Sequence, residues 1–302
     1  AGYADLFEQS LYNGVLPGIS LEGKHYFYVN PLKKLHDLKV PLRWSRTRTP
    51  NIKSSFCCPP NVVRTIAEAH NYVYALSADA VWVHLYAAST LETALPDGAR
   101  IKIRQETDYP WGGAVKLTID AAPARELALK LRVPGWLRAG AASLRINGRE
   151  AAARPAPGSY AEVKRAWRAG DVVELRMDFA PVLWEANPLV EETLNQVALR
   201  CGPLVYCAES NDLPAGVRLT DVALAAEAVS GDFSRRRFGI GGMPVVAITA
   251  KGLASSARPW TGTELYREVG PDSRQPVTLT FVPYFAWGNR GDTEMSVWLP
   301  RR

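Results

Sequence analysis

From about Ala80 onward the apolar residues of this chain recur at every second position, and that period decides the fold class. Val81, Val83 and Leu85 alternate with Trp82, His84 and Tyr86. Ile101 and Ile103 follow, then Val115, Leu117 and Ile119, then Leu127, Leu129, Leu131 and Val133, and Val173, Leu175, Met177 and Phe179 end the run. Successive side chains of an extended chain point to opposite faces, so each run is a strand with one face turned to a core. Asn147-Gly148, after Leu144-Arg145-Ile146, is a tight hairpin turn, because both central positions of such a turn want positive φ. Ala151 to Ser159, with Pro155, Pro157 and Gly158, reads as a loop. Short strands separated by turn residues predict an antiparallel β-sandwich over residues 79–180. A second β unit, 181–302, has its strongest strand signals at Gln196–Cys207, Val245–Ile248, Val277–Val282 and Met295–Leu299.

The first 78 residues follow another rule. Tyr3, Leu6, Phe7 and Leu11 fall at helical spacing and predict a helix from Tyr3 to about Val15; Val62, Ile66, Ala69 and Val73 predict a second from Pro60 to about Leu76. Between them lie an extended segment, Lys24 to Val29, and a polar loop, Pro41 to Ser55. The opening Ala1-Gly2-Tyr3 has no Met and no capping residue, so the chain reads as a cut through a larger protein, with any targeting signal upstream. No stretch approaches the roughly 20 apolar residues of a membrane span. The net charge of +6 arises from scattered Lys and Arg. In Leu129-Lys130-Leu131-Arg132-Val133 they alternate with apolar residues and are expected to face water, and Arg235-Arg236-Arg237 is expected to be a solvated loop. Neither nucleic acid nor membrane is expected as a partner.

Ser55-Phe56-Cys57-Cys58-Pro59-Pro60-Asn61 carries the chemistry. Proline suits a first helical turn, where its missing N–H has no partner to lose, so Pro59 or Pro60 sets the start of the second helix. A thiol there feels the positive end of the helix dipole, which favours thiolate, the form that attacks carbon or binds metal. Two small core residues, or a strained vicinal disulfide, are the competing readings of such a pair. Four cysteines in 302 residues are too few for a disulfide scaffold and fit a reducing, cytoplasmic setting. Cys201 and Cys207, around Gly202-Pro203, read as packed strand residues. His25, His36, His70 and His84 show no metal spacing, and His84 alternates like an outward strand residue. Trp44, Tyr109 and Trp111 read as core or domain-contact aromatics, and Glu8 as a solvated helix carboxylate.

The cysteine-proline segment resembles that of glycoside hydrolase family 127, the β-L-arabinofuranosidases. The likeness takes in Leu16-Pro17-Gly18-Ile19-Ser20, Phe27-Tyr28-Val29-Asn30-Pro31-Leu32, Tyr109-Pro110-Trp111, Arg132-Val133-Pro134-Gly135-Trp136 and Gly202-Pro203-Leu204-Val205-Tyr206. It closes with Val282-Pro283-Tyr284-Phe285-Ala286-Trp287-Gly288-Asn289-Arg290-Gly291. The resemblance implies that residues 1–78 are the last helices of an (α/α)6 barrel preceding the two sandwiches, in a mainly β chain. It implies that Cys57 is both nucleophile and zinc ligand, that Cys58 is a zinc ligand, and that Tyr28 is a candidate substrate contact. The reaction would be retaining hydrolysis of a terminal β-L-arabinofuranoside in an oligosaccharide or glycoconjugate. The family's acid/base glutamate and the Glu-x-Cys pair that completes its zinc site precede the residues matching Ala1, so this chain alone is expected to be inactive and to bind zinc weakly. A homodimer is expected by family analogy only. A non-catalytic carbohydrate-binding, architectural or oligomerisation β-sandwich module is the alternative.

Overall fold

The computed structural model describes residues 1–36, 48, 57–225, 232–256, 264–268, 270 and 272–302, and these are mainly β. Among the described residues there are two α-helices, α1 (Gly2–Ser10) and α2 (Cys58–Glu68). The strands in chain order are β1 (Lys33–Lys34), β2 (Tyr74–Leu76), β3 (Ala80–Val83), β4 (Ser89–Ala94), β5 (Arg100–Thr107), β6 (Ala114–Ala121), β7 (Glu126–Val133), β8 (Ala142–Ile146), β9 (Arg149–Glu150) and β10 (Ser159–Ala166). They continue with β11 (Val172–Met177), β12 (Pro181–Glu185), β13 (Gln196–Cys201), β14 (Leu204–Glu209), β15 (Val222–Leu224), β16 (Ser234–Ile240), β17 (Met243–Ser255), β18 (Arg274–Pro283), β19 (Met295–Ser296) and β20 (Trp298–Pro300). Contacts divide the chain into two units, each of two stretches: Ala1–Val15 with Pro60–Ala180, and Leu16–Pro59 with Pro181–Arg302.

The first unit holds two sheets, ordered β10-β7-β3-β2 and β4-β5-β6-β11-β8-β9. Ile101, Ile103, Leu117, Ile119, Val173 and Leu175 of the larger sheet join Val81, Val83, Leu129, Leu131 and Val163 of the smaller in one buried cluster. The sequence alternation is the imprint of that shared core, in which each fully buried aliphatic contributes about 1.5–3 kcal/mol. Pairing is antiparallel except between β3 and β7, which run parallel from Ala80↔Ala128 to Val83↔Leu131. The turn between β8 and β9 has φ +51° at Asn147 and +78° at Gly148, the two left-handed positions that the dipeptide predicts.

The expectations for Arg132 and for the extent of the second helix fail in this unit. Arg132 does not face water. It is fully buried, because the face of β7 turned away from the core is covered by α1, whose Asp5 and Glu8 take its guanidinium. The second helix does not reach Leu76: α2 stops at Glu68, a 3-10 turn spans Ala69–Tyr72, and Tyr74–Leu76 is strand β2, pairing with β3. A tyrosine after a 3-10 exit gains more from the sheet edge than from another helical turn. Likewise α1 ends at Ser10, and Leu11–Val15 continues as one π-type turn.

Among its described residues the second unit is built on one branched, antiparallel sheet. Its main path is β1-β19-β14-β18-β17-β15, with β16 on β17 and with β12 and β20 on β13, which pairs β14. The single strand expected over Gln196–Cys207 is two, turned at Gly202 (φ +57°), with Cys201 opposite Leu204. Arg235–Arg237 is exposed as expected, but in strand β16 and not in a loop. Lys24 to Val29 is not a strand; an isolated bridge, Ile19↔Tyr26, is its ladder contact among the described residues. Lys33 and Lys34 pair with Ser296 and Met295, so the chain just beyond Tyr28 hangs on the sheet edge. Among the described residues no helix is long and apolar enough to cross a membrane.

Candidate active site

Helix α2 begins at Cys58, one residue before the double proline, so Pro59 and Pro60 fill its first turn and Cys57 stands at its threshold. Cys57 is exposed and Cys58 half-buried, and neither is in a disulfide. The two sulfurs are 3.6 Å apart. The Tyr28 hydroxyl lies 3.2 Å from Cys57 Sγ, so the structure brings together the three residues singled out for nucleophile, metal and substrate.

Whether the sulfurs suit zinc can be judged from their spacing. Two thiolates on one tetrahedral zinc at about 2.3 Å each sit about 3.7 Å apart, close to the separation found here. Cys57 and Cys58 therefore fit as two donors to one ion. Among the described residues no group of three or more His, Cys, Asp and Glu is placed to hold a metal.

Tyr28 sits on a framed piece of chain. Phe27, buried, stacks on Trp287 with ring centroids 4.7 Å apart and planes 14° from parallel. The Arg48 guanidinium lies 4.4 Å from the centre of the Phe27 ring. It donates to the carbonyls of Trp287, Pro17 (3.2 Å) and Phe285 (3.4 Å). Burial pulls the Arg48 pKa down to about 10, which still leaves it cationic at neutral pH. Tyr284 Oη donates to the Pro31 carbonyl at 2.9 Å, and the Leu21 amide to Asn289 Oδ1 at 3.0 Å. Nothing in the sequence marks Arg48, which lies in a polar stretch rich in basic residues.

The remaining candidates go elsewhere. Glu8 is not a solvated carboxylate: it is 1% exposed and takes Tyr109 Oη (2.6 Å), Trp136 Nε1 (3.1 Å) and Arg132. Tyr109 is a core residue, as expected, and burial holds its phenol well above the usual range. Cys201 and Cys207 are buried strand residues whose thiols are pushed up by desolvation. His25 pairs with Glu22 and His36 with Asp292, and His70 meets its own helical turn at the Ala67 carbonyl. His84 lies just past β3, half-buried, with Nδ1 2.6 Å from Tyr160 Oη, so it is not a plain outward strand residue. Trp111 is half-buried. Trp44, Ser55 and Phe56 lie outside the described residues.

A mainly β chain with a Cys-Cys pair at a helix start now meets its relatives. Three family models match in sequence: the β-L-arabinofuranosidase family 127 catalytic domain over residues 1–71, the family's middle domain over 80–179 and its C-terminal domain over 181–300. The chain belongs to glycoside hydrolase family 127. A non-reducing end β-L-arabinofuranosidase of Bifidobacterium longum subsp. longum is 33% identical over 313 residues, which cover 99% of this chain and 45% of that protein. Among solved structures, a glycoside hydrolase is 44% identical with a TM-score of 0.91, over 99% of this chain and 48% of its own. A family 127 β-L-arabinofuranosidase from Geobacillus stearothermophilus is 36% identical with a TM-score of 0.86, over 100% of this chain and 46% of its own. The chain spans a little under half the length of these relatives.

Proposed function

We propose that this chain supplies the nucleophile of a retaining glycoside hydrolase that releases terminal β-L-arabinofuranose from an oligosaccharide or glycoconjugate. The carrying observation is the exposed Cys57 sulfur at the start of α2, with Cys58 Sγ at 3.6 Å and Tyr28 Oη at 3.2 Å. Cys57 Sγ attacks the anomeric carbon as the glycosidic C–O bond breaks, and the leaving oxygen takes a proton from a carboxylic acid. Water then displaces the sulfur at the same carbon and gives its proton to that carboxylate, so two inversions retain configuration. Tyr28 orients the sulfur and the sugar entering beside it. Cys57 and Cys58 would hold zinc, which when bound keeps thiolates deprotonated near neutral pH.

In this reading the acid and the remaining zinc donors come from parts of the protein that the longer relatives carry beyond this chain. A polypeptide of these 302 residues alone, with two thiolates and no third donor placed beside them among its described residues, binds zinc weakly and is inactive. Residues 1–78 are the end of an (α/α)6 barrel, and 79–180 and 181–302 are two sandwiches. Apolar side chains left in the open on α1 (Tyr3, Leu6), on α2 (Val63, Ile66) and at Tyr72 after it support the barrel, whose other helices would cover them. The sheets sharing one core support the first sandwich.

The test is brief incubation of the protein that carries this chain with an activated β-L-arabinofuranoside, followed by peptide mass mapping. The peptide containing Cys57 gains one pentosyl group, and Cys57→Ser abolishes both label and turnover. Undiminished hydrolysis by Cys57→Ser ends the reading and favours the non-catalytic module.

A further inference from the structure

We propose that the turn Tyr284–Gly291 of the second unit is the seat that holds Tyr28 against Cys57, with Trp287 and Arg48 as its positioning residues. The inference rests on reading Cys57 as the nucleophile. The contacts are continuous: Tyr28 follows Phe27 in the chain, Phe27 lies flat on Trp287, and the Arg48 guanidinium, nine residues before Cys57, lies against both rings, 4.4 Å from the centre of Phe27 and 5.7 Å from that of Trp287. Arg48 also ties three carbonyls together, two of them from the turn itself. A planar guanidinium can stack on a ring and donate in its own plane at once, which an ammonium cannot.

The seat is braced from behind, so it can act as a fixed reference. Glu209, buried on β14, accepts the Gly288 amide at 2.7 Å and pairs with Arg290, which also holds Asp212. Gly288 has φ +67°, and a Cβ there would come within 3.3 Å of Arg48 Nη1, so a larger residue would strain the turn and crowd the guanidinium. Chain on both sides of Phe27 is tied to the same turn, through Leu21 to Asn289 and Pro31 to Tyr284. A nucleophile and its partner must be held to within about an ångström, since a misplacement of that size costs roughly a hundredfold in rate. An otherwise exposed thiol at a helix threshold gains that precision from this seat.

The experiment compares Trp287→Leu, Trp287→Phe, Arg48→Gln and Arg48→Lys in the protein that carries this chain, reading kcat and KM together with site-resolved amide exchange. Trp287→Leu and Arg48→Gln are expected to lower kcat roughly a hundredfold with KM changed by less than about threefold. Trp287→Phe, which keeps a ring under Phe27, recovers most of kcat, and Arg48→Lys falls between. In the two disruptive variants the amides of Ser20 and Phe27, which donate to His25 and Gly18, exchange faster, whereas those of the β17–β18 ladder do not. Full kcat in Arg48→Gln, equal losses in Trp287→Phe and Trp287→Leu, or faster exchange throughout β17–β18 would each overturn the inference. A wild-type protein inert toward arabinofuranosides sinks the functional reading instead. The exchange arm then decides alone: unchanged protection at Phe27 overturns the seat, and lost protection supports it.

Discussion

Glu8 of α1 and Arg132 of β7 form an ion pair removed from water on both sides, with 1% and 0% of their surfaces exposed. Such a pair persists only if the surrounding hydrogen bonds are complete. Here Arg132 also donates to Asp5 and to the His84 carbonyl, and Glu8 also receives Tyr109 and Trp136. Burial works against the arginine's charge, but Glu8 and the oxygens of Tyr109 and Tyr86 outweigh it and leave its pKa raised. Removing one partner strands the other as a buried charge. Glu8→Ala and Arg132→Met should each destabilise the first unit by about 3–5 kcal/mol in urea unfolding. The double substitution Glu8→Ala with Arg132→Met should cost well under the sum of the single losses, and strict additivity would show that the pair is not coupled.

The Tyr28 hydroxyl, 3.2 Å from Cys57 Sγ, offers a narrower test of the proposed chemistry. Tyr28→Phe leaves the ring and its backbone in place and removes one contact to a sulfur that carries charge in the reaction. A hydrogen bond to a charged group is worth about 1.5–3 kcal/mol, so kcat/KM should drop roughly ten- to a hundredfold. Steady-state kinetics with an activated arabinofuranoside reads this directly, and unchanged kcat/KM would remove Tyr28 from the site.

A Cys58 variant would separate the proposed metal binding from the proposed nucleophilic attack. If both sulfurs hold one ion, Cys58→Ala removes a ligand while leaving Cys57 in place, and zinc content in the protein that carries this chain should fall well below one per molecule. Elemental analysis after dialysis checks it. Full zinc occupancy in Cys58→Ala would assign the ion to other residues.

How far the sequence reveals this molecule depends on what each residue answers to. The inward strand positions were legible because a sheet's two faces alternate, and Ile101, Ile103, Leu117 and Ile119 all lie where the period puts them. The turn at Asn147-Gly148 was legible because few residues accept positive φ at both places. Arg132 was misread because parity tells which face of β7 it occupies but not that α1 covers that face. Gly202 was read through because β13 and β14 are buried nearly throughout, so no alternation marks where one strand ends. The Cys57-Cys58 pair stood out by its place at a proline-marked helix start and took its roles, as Tyr28 did, from resemblance, whereas Arg48, which touches rings and scattered carbonyls, has no local pattern to betray it.

Two glycines give opposite forecasts from space alone. A Cβ on Gly113 would stand 1.9 Å from the Met177 carbonyl oxygen, which belongs to the backbone of β11 and cannot swing aside. Gly239, in β16, has open space around the same position. Gly113→Ala should lose at least the roughly 1–3 kcal/mol of an overpacked core, while Gly239→Ala should be neutral or slightly stabilising through the unfolded state. Thermal unfolding of the two variants side by side checks both, and equal midpoints would contradict the close approach of Gly113 to β11.

Asp171 ties the turn at Asn147 to the start of β11 and makes that corner sensitive to acid. Its carboxylate accepts the Asn147 side-chain amide at 2.8 Å and the Arg168 backbone amide at 2.9 Å. Burial alone would raise its pKa, but those two donors and the positive charges of Arg165 and Arg168 outweigh burial and hold it below the usual carboxylate range. A carboxyl group whose folded pKa is depressed is more often protonated in the unfolded chain, so its contribution is complete above the unfolded value of about 3.9 and disappears as pH falls through the folded one. Wild type should therefore exceed Asp171→Asn in unfolding free energy at neutral pH, with the gap narrowing as the solution is taken toward about pH 3. Urea titrations of both proteins across that range measure the gap, and a constant difference would mean that the Asp171 charge is not what stabilises the corner.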